Sequence, residues 1–253
     1  MRILSLGAGV QSTTILLMAC AGEEHVEAAI FADTGWEPHW VYEHLDWLED
    51  QARAAGIPVY RVSDGDLRAD ALANKTQSWM PVYSVGPDGL EKLKRQCTRN
   101  YKIRPIRRKA RELSGGKPIQ QLVGISLDEW ERMRDSDVKY ITNVYPLIEK
   151  RMTRMDCVAW LTSHGYPIPR KSSCIACPLR TAREWREIQA DEASWADAVD
   201  FDEKIRRVRS RTRHQEVFVH RDGVPLATVD LRSEQERGQL EFDFDGCGVL
   251  CAA

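Results

Sequence analysis

Three short segments of this chain carry residue types that could do chemistry together. The first is Gly7-Ala8-Gly9-Val10-Gln11-Ser12, which follows the apolar Leu4-Ser5-Leu6 and precedes an apolar run from Thr14 to Ala21. A strand that turns through small residues into a helix aims backbone N–H groups and the positive end of the helix dipole at one point, which suits a phosphate. The second is Asp33-Thr34-Gly35, an acidic turn ending the apolar Ile30-Phe31-Ala32 about one βαβ unit later. The third is Cys174-Ile175-Ala176-Cys177-Pro178, two thiols whose spacing reaches one metal or one cluster. Adjacent strand ends in an open α/β sheet form a ligand crevice, so the first two segments together describe a nucleotide pocket.

Neither motif is unique to one chemistry. The glycine loop is not a Walker A, because no Gly-Lys-Ser/Thr follows, and Ser12 stands where a dinucleotide fingerprint needs its third glycine. Such a turn also opens α/β domains that bind no nucleotide. The C-x-x-C unit is not a haem attachment site, since Pro178 follows it, and it does not begin a helix near a thioredoxin-like first unit. Half a zinc site remains open. The histidines form no triad and no H-E-x-x-H arrangement, which removes hydrolytic nucleophiles and zinc proteases.

These segments need elements to position them. Hydrophobic periodicity predicts strands over 2–6, 27–32, 57–62 and 119–125 and a short strand near 140–145. It predicts helices over 11–21, 38–55, 101–114 and 153–164. Trp40, Leu45, Trp47 and Leu48 form the apolar stripe of the second helix. Residues 64–96, with Pro81, Gly86, Pro87 and Gly89, read as a long loop of the kind used for lids or binding. Alternating strands and helices imply a doubly wound, mostly parallel α/β sheet. Residues 1–178 are expected to form the nucleotide-binding and cysteine-bearing domain, and residues 179–253 an irregular helical appendage with a cysteine-containing tail.

At these residues the chain resembles the adenine-nucleotide α-hydrolase superfamily, in its phosphoadenylylsulfate (PAPS) reductase-like branch of PP-loop ATP pyrophosphatases. The common superfamily loop is Ser-Gly-Gly-x-Asp-Ser. The present loop departs from it at three places, while Gln11 matches what the reductase branch tends to carry. Asp33-Thr34-Gly35 with Glu37-Pro38 looks like that branch's second signature. Gln96-Cys97-Thr98-Arg99-Asn100-Tyr101-Lys102 resembles the Cys-Cys-x-x-Arg-Lys segment of iron–sulfur adenylylsulfate (APS) reductases and the cysteine segment of DNA-phosphorothioation enzymes, with Thr98 in place of the second cysteine. Gly124-Ile125-Ser126-Leu127-Asp128-Glu129-Trp130-Glu131-Arg132 resembles a cleft-lining Gly-x-Arg-x-x-Glu-Ser-x-x-Arg segment, with Ser126 and Trp130 as departures. A capping turn that starts a charged helix is the plainer reading of that stretch.

The resemblance implies ATP and Mg²⁺ at Gly7 to Ser12 and at Asp33, Thr34, Gly35 and Lys102, with Ser12, Asp33, Glu129 and Arg132 serving the reaction. It implies a [4Fe–4S] cluster on Cys97, Cys174, Cys177 and Cys247, with zinc as the less favoured occupant. Cys247 is contested between cluster ligand and mobile redox thiol. Cys20 and Cys157 lie on apolar helix faces and read as buried small hydrophobes. The implied function is an ATP-dependent sulfurtransferase that adenylates a nucleic-acid or nucleoside-like acceptor and replaces oxygen by sulfur from an unspecified donor. A PAPS or APS reductase and a non-catalytic nucleotide- or nucleic-acid-binding module are the alternatives.

Bulk properties are compatible with that reading. In 253 residues, 43% are hydrophobic and 29% charged, enough for a sizeable core. No apolar run reaches the ~18 residues of a membrane span. The chain enters its first strand without a signal-like segment, so a cytoplasmic protein with no membrane partner is expected, and its seven cysteines should be thiols or ligands rather than disulfides. A homodimer is compatible with everything above. Net charge is only −2, but ten basic residues fall between Lys92 and Arg111 and six between Lys204 and Arg213. Lys94, Arg95, Arg99 and Lys102 are the residues expected to meet a polyanion, pyrophosphate or nucleic acid.

Overall fold

The structure, a computed structural model, describes residues 1–86, 89–213 and 216–232. Strand and helix alternate in its first half: β1 (Arg2–Leu6), α1 (Val10–Cys20), β2 (Ala28–Asp33), α2 (His39–Ala54), β3 (Val59–Ser63) and α3 (Leu67–Leu72). A hairpin of β4 (Tyr83–Gly86) and β5 (Gly89–Lys92) follows, then a π-helical turn, Thr98–Ile103, that runs directly into α4 (Arg104–Ser114). Next come β6 (Ile119–Val123), a 3₁₀ turn at Leu127–Arg132, β7 (Ile141–Val144), α5 (Pro146–Glu149) and α6 (Arg154–Ser163). The described chain ends with α7 (Ala182–Gln189), α8 (Glu192–Arg213) and β8 (Val217–Phe218), followed by a 3₁₀ turn at Leu226–Thr228.

Five strands form one parallel sheet in the order β3-β2-β1-β6-β7. This is the doubly wound α/β class expected from the alternation. Successive residues of β1 and β2 face opposite sides, as a period of two requires. Leu4, Leu6, Ala29 and Phe31 join the large core with α1, α2 and α6, while Ile3, Ile30 and Ala32 meet Ile106 and Ala110 of α4 on the other face. The chain winds outward through β2 and β3 on one side of β1, then crosses to β6 and β7 on the other. Loops leaving β1 and β6 therefore diverge, and at such a switch point in an open α/β sheet the ligand crevice lies between them. Register makes this concrete, because Ser5 pairs with Val123, so the two strands reach the crevice mouth at the same level, just ahead of Gly7 and Gly124.

The segment 64–96 is not the structureless loop its composition suggests. Asp66 caps α3, its carboxylate accepting from the Ala69 N–H at 2.9 Å. Gly86 and Gly89 pair at the end of the β4–β5 hairpin, and β4 also pairs antiparallel with β8. That partner strand lies more than a hundred residues away, so no local pattern announces the small sheet. Residues after Pro178 contribute Trp185, Ile188, Phe201 and Leu226 to the same hydrophobic cluster as Leu4 and Phe31. The Trp36 and Phe201 rings meet at 4.4 Å, and Arg68 pairs with Asp197 and Asp200. Among the described residues no helix is long and apolar enough to cross a membrane.

Candidate active site

Two cavities open at the carboxyl end of the sheet. The first, about 270 Å³, is lined by Gly7, Gly9, Val10, Gln11 and Ser12 of the β1–α1 loop and by Gly124, Glu129 and Arg132 from beyond β6. Ala8 takes a left-handed backbone (φ 55°) and Gly9 an extended one, turning the chain sharply into α1. Ser12 braces this turn, its hydroxyl accepting from the Gly7 N–H at 3.1 Å and donating to the Gly9 carbonyl at 3.2 Å. No side chain caps α1, and its first intrahelical bond runs from the Thr13 N–H to the Gly9 carbonyl. The N–H groups ahead of it are thus directed to the pocket. Arg154, Arg170 and Lys171 also line the cavity, so four cations with Arg132 face a single carboxylate, Glu129. A preorganised amide turn ringed by cations is built for a polyanion such as a triphosphate.

The far wall is braced as carefully. The Gln11 amide donates to Glu129 at 3.2 Å and to the Ser126 hydroxyl at 3.3 Å, and Arg132 pairs with Glu129 at 2.5 Å. Gly124 is required for this closeness: a Cβ there would stand 2.9 Å from the Ser12 nitrogen. Ser172 closes the third side by donating to the Gly7 carbonyl.

The second cavity, about 380 Å³, contains Cys97, Cys174 and Cys177 in its lining, with Arg95, Lys102 and Arg180. It shares Arg132, Lys171 and Ser172 with the first. Its floor is a buried polar cluster. Glu37, whose side chain is fully buried, takes the Lys102 ammonium at 3.1 Å and the Thr34 hydroxyl at 3.2 Å, and the Cys174 sulfur lies 3.8 Å from the same oxygen. Thr34 also reaches that sulfur, at 3.3 Å. Burial, reinforced by Glu37, pushes the Cys174 thiol well above the ordinary thiol range, and burial raises Cys177 as well. Desolvation works against the Lys102 ammonium, but Glu37 and the neighbouring cysteines hold it above its usual value. Arg180 is buried and donates to the carbonyls of Ser173, Cys174 and Ile175, fixing the C-x-x-C loop from behind.

The structure thus gathers Gly7, Gly9, Val10, Gln11, Ser12, Glu129 and Arg132 at one pocket, and Thr34, Cys97, Lys102, Cys174 and Cys177 at its neighbour. Asp33 lines neither, and its carboxylate instead accepts from the Gly35 N–H and the Tyr42 hydroxyl, each at 2.8 Å. Gly35 shapes that turn at φ 70°. Lys102, expected at the nucleotide, turns into the thiol cavity because Glu37 is there to receive it. Ala8 is buried beneath the loop rather than exposed in the pocket. Cys247 lies outside the described residues. Cys20 and Cys157 stand apart from the site; Cys157 is fully buried and burial pushes its thiol to about 11.

Sequence reasoning missed Glu37, Arg154, Arg170, Ser172 and Arg180 as site residues. A signal existed for some of them, since Arg170-Lys171-Ser172-Ser173 directly precedes Cys174 and Arg180 follows Cys177 by three. No model of a known protein family matches the chain, and no curated protein matches it in sequence. Among solved structures the chain is similar to the PAPS reductase from Candida auris in its phosphate complex. The two share 16% identity over 68% of this chain and 80% of that one, with a TM-score of 0.47.

Proposed function

We propose that the protein is an ATP pyrophosphatase-type sulfurtransferase of the PAPS reductase-like branch. In this reading ATP and Mg²⁺ occupy the first cavity and sulfur chemistry takes place in the second. One observation carries it, the common wall of Arg132, Lys171 and Ser172 between a cation-lined amide turn and a pocket of three cysteines. An acceptor oxygen attacks the α-phosphorus, the bond to the bridging oxygen breaks, and pyrophosphate leaves onto loop amides and Arg132, Arg154, Arg170 and Lys171. The step needs no protein nucleophile, since positioning and charge neutralisation lower its barrier. The acceptor is left as an adenylate, and a sulfur nucleophile from the thiol side then displaces AMP. Asp33 and Ser12 act here as positioning residues, and Glu129 orients both Gln11 and Arg132.

Cys97, Cys174 and Cys177 line one cavity, a set of soft thiol donors of the kind that both an iron–sulfur cluster and zinc take, and the resemblance of the cysteine segments favours the cluster. Cys97, Cys174 and Cys177 would hold such a cluster, with Cys247 as the candidate fourth ligand. Arg95, Lys102 and Arg180 offset the negative charge of bound thiolates. The cluster, when bound, would hold and activate sulfur.

Anaerobic purification with iron and sulfide analysis, combined with pyrophosphate release from ATP, tests the proposal. Brown, iron-containing protein that releases pyrophosphate only with an acceptor is expected. Arg132→Met should lower pyrophosphate release by about 10²-fold, whereas Cys174→Ala should lose iron and keep ATP binding. Stoichiometric zinc without iron would replace the cluster by a structural site. Sulfite formation without pyrophosphate would make the protein a sulfonucleotide reductase, and ATP binding without turnover would make it a binding module.

A further inference from the structure

A third cavity, open and about 600 Å³, lies on the outer face of α4, away from the parallel sheet. Arg99, Arg104, Arg107, Arg108, Arg111 and Tyr140 line it. Against these five guanidinium groups stand three carboxylates. Asp64 takes Arg104 and Arg108, Asp137 takes Arg107, and Glu112, also in the lining, is bonded to Lys109. The arrangement costs helix stability. Only Pro105, Ile106, Ala110 and Ser114 of α4 are buried, and the rest of the helix carries Arg104, Arg107, Arg108, Lys109 and Arg111 against one acid. Like charges at i,i+3 and i,i+4 on one helix repel and weaken it. A solvated helix face mixes both signs along its own sequence, whereas α4 carries five cations and one acid and draws its other counter-charges from Asp64 and Asp137.

We propose that this groove docks a nucleic-acid strand by its phosphates and leads it to the thiol cavity. Arg104 with Arg108, and Arg107 with Arg111, stand one helical turn apart, about 5–6 Å along the axis. Their planar forks suit phosphate oxygens better than lysine ammonium groups would. The Arg111 guanidinium sits over the Tyr140 ring, 5.1 Å from its centre, which holds that fork at the edge of the groove. A basic groove that tracks a backbone suits a single strand and makes its binding strongly salt-dependent. The groove is also continuous with the site. In the π-helical turn at Thr98–Ile103, Thr98 and Lys102 face the thiol cavity while Arg99 and Ile103 face the groove. A strand lying along α4 therefore runs toward Cys97. The inference rests on the sulfurtransferase reading for what happens to the strand, and on the groove alone for its binding.

The test is the anisotropy of a labelled 20-nucleotide single-stranded oligonucleotide, as DNA and as RNA, titrated with the full chain between 50 and 200 mM salt. Affinity should fall with salt at a log–log slope of about −2 to −3.5, corresponding to three to five phosphates. Arg99→Glu/Arg111→Glu, both at exposed positions, should weaken binding at least tenfold and flatten the slope by about 1.4, with ATP affinity unchanged. The milder Arg99→Gln/Arg111→Gln, with an unaltered melting temperature, should show the same direction. Oligonucleotide binding unaffected by either double variant would overturn the proposal, as would poly-glutamate binding as tightly as the oligonucleotide, or no binding at 50 mM salt. None of these outcomes alters ATP binding or iron content, so the sulfurtransferase reading stands or falls separately.

Discussion

The two cavities at the carboxyl end of the sheet share a wall but are built on opposite principles. The phosphate-type pocket is a local object. Six consecutive residues, Gly7 to Ser12, supply its backbone turn, and its charge is four cations around Glu129. The thiol cavity is assembled from distant pieces, namely Thr34 to Glu37 after β2, Cys97 to Lys102 before α4, and Lys171 to Arg180 ahead of α7. Its polar groups are buried and spent on one another. A pocket that receives a large, charged, exchangeable ligand can be made of amides and mobile arginines. In the thiol cavity burial works the other way, pushing the Cys174 and Cys177 thiols up.

The sharpest way to break the comparison is at the contact that makes the first pocket narrow. Gly124→Val places a side chain against the Ser12 and Gln11 backbone, where even a Cβ meets atoms at 2.9 and 3.2 Å. ATP binding should be lost, and the melting transition should drop by an amount matching about 1–3 kcal/mol or more of overpacking. Gly9→Val is the control. Its backbone is extended and its nearest Cβ neighbour is 4.0 Å away, so it should fold normally and lose only ATP affinity, as calorimetry would show. Full ATP affinity in a folded Gly9→Val protein would remove phosphate from that turn.

The buried floor of the thiol cavity should respond to the opposite kind of change. Lys102→Met leaves Glu37 without its cation and should cost about 2–3 kcal/mol in urea unfolding, below the usual cost of stripping a buried pair because Lys102 is about one-third exposed. Adding Glu37→Gln should recover most of that loss. ATP affinity should not change in either variant. A large loss of ATP affinity in Lys102→Met would return this lysine to the nucleotide.

A separate, pH-dependent effect comes from behind the phosphate turn. His44 packs on Trp47 and bonds the Thr13 hydroxyl at 3.0 Å, and burial lowers its pKa from 6.5 to about 4. Between those values the unfolded chain binds the proton and the folded one does not, so stability should fall as pH drops from about 6.5 to about 4 and level off below. His44→Gln should flatten that part of the pH–stability curve. The smallest effect is Cys157→Ala, expected to cost about 1 kcal/mol through lost packing and to leave iron content and ATP affinity untouched.

Much of this molecule is written along the chain. β1, α1, β2, α2, β3, α4, β6, β7 and α6 fall within a few residues of where periodicity puts them, because a strand or helix in a layered sheet must repeat its apolar residues with its own period. The β1–α1 turn is legible for a related reason, since a tight turn into a helix draws on residues adjacent in sequence. Glu129 and Arg132 do face the pocket, but their segment is a 3₁₀ turn at Leu127–Arg132 with no side-chain cap rather than a capping turn that starts a charged helix. What the chain alone could not decide is which of these charges meet. Asp33 looked like a ligand and instead ties down its own turn, while Lys102 looked like a nucleotide contact and is claimed by Glu37. The β4–β5–β8 sheet and the shared wall at Arg132, Lys171 and Ser172 join segments with no common local pattern. Local propensity acts over a turn or two of chain. The pairing of buried charges and thiols is settled by desolvation, which depends on what the finished tertiary structure leaves next to them.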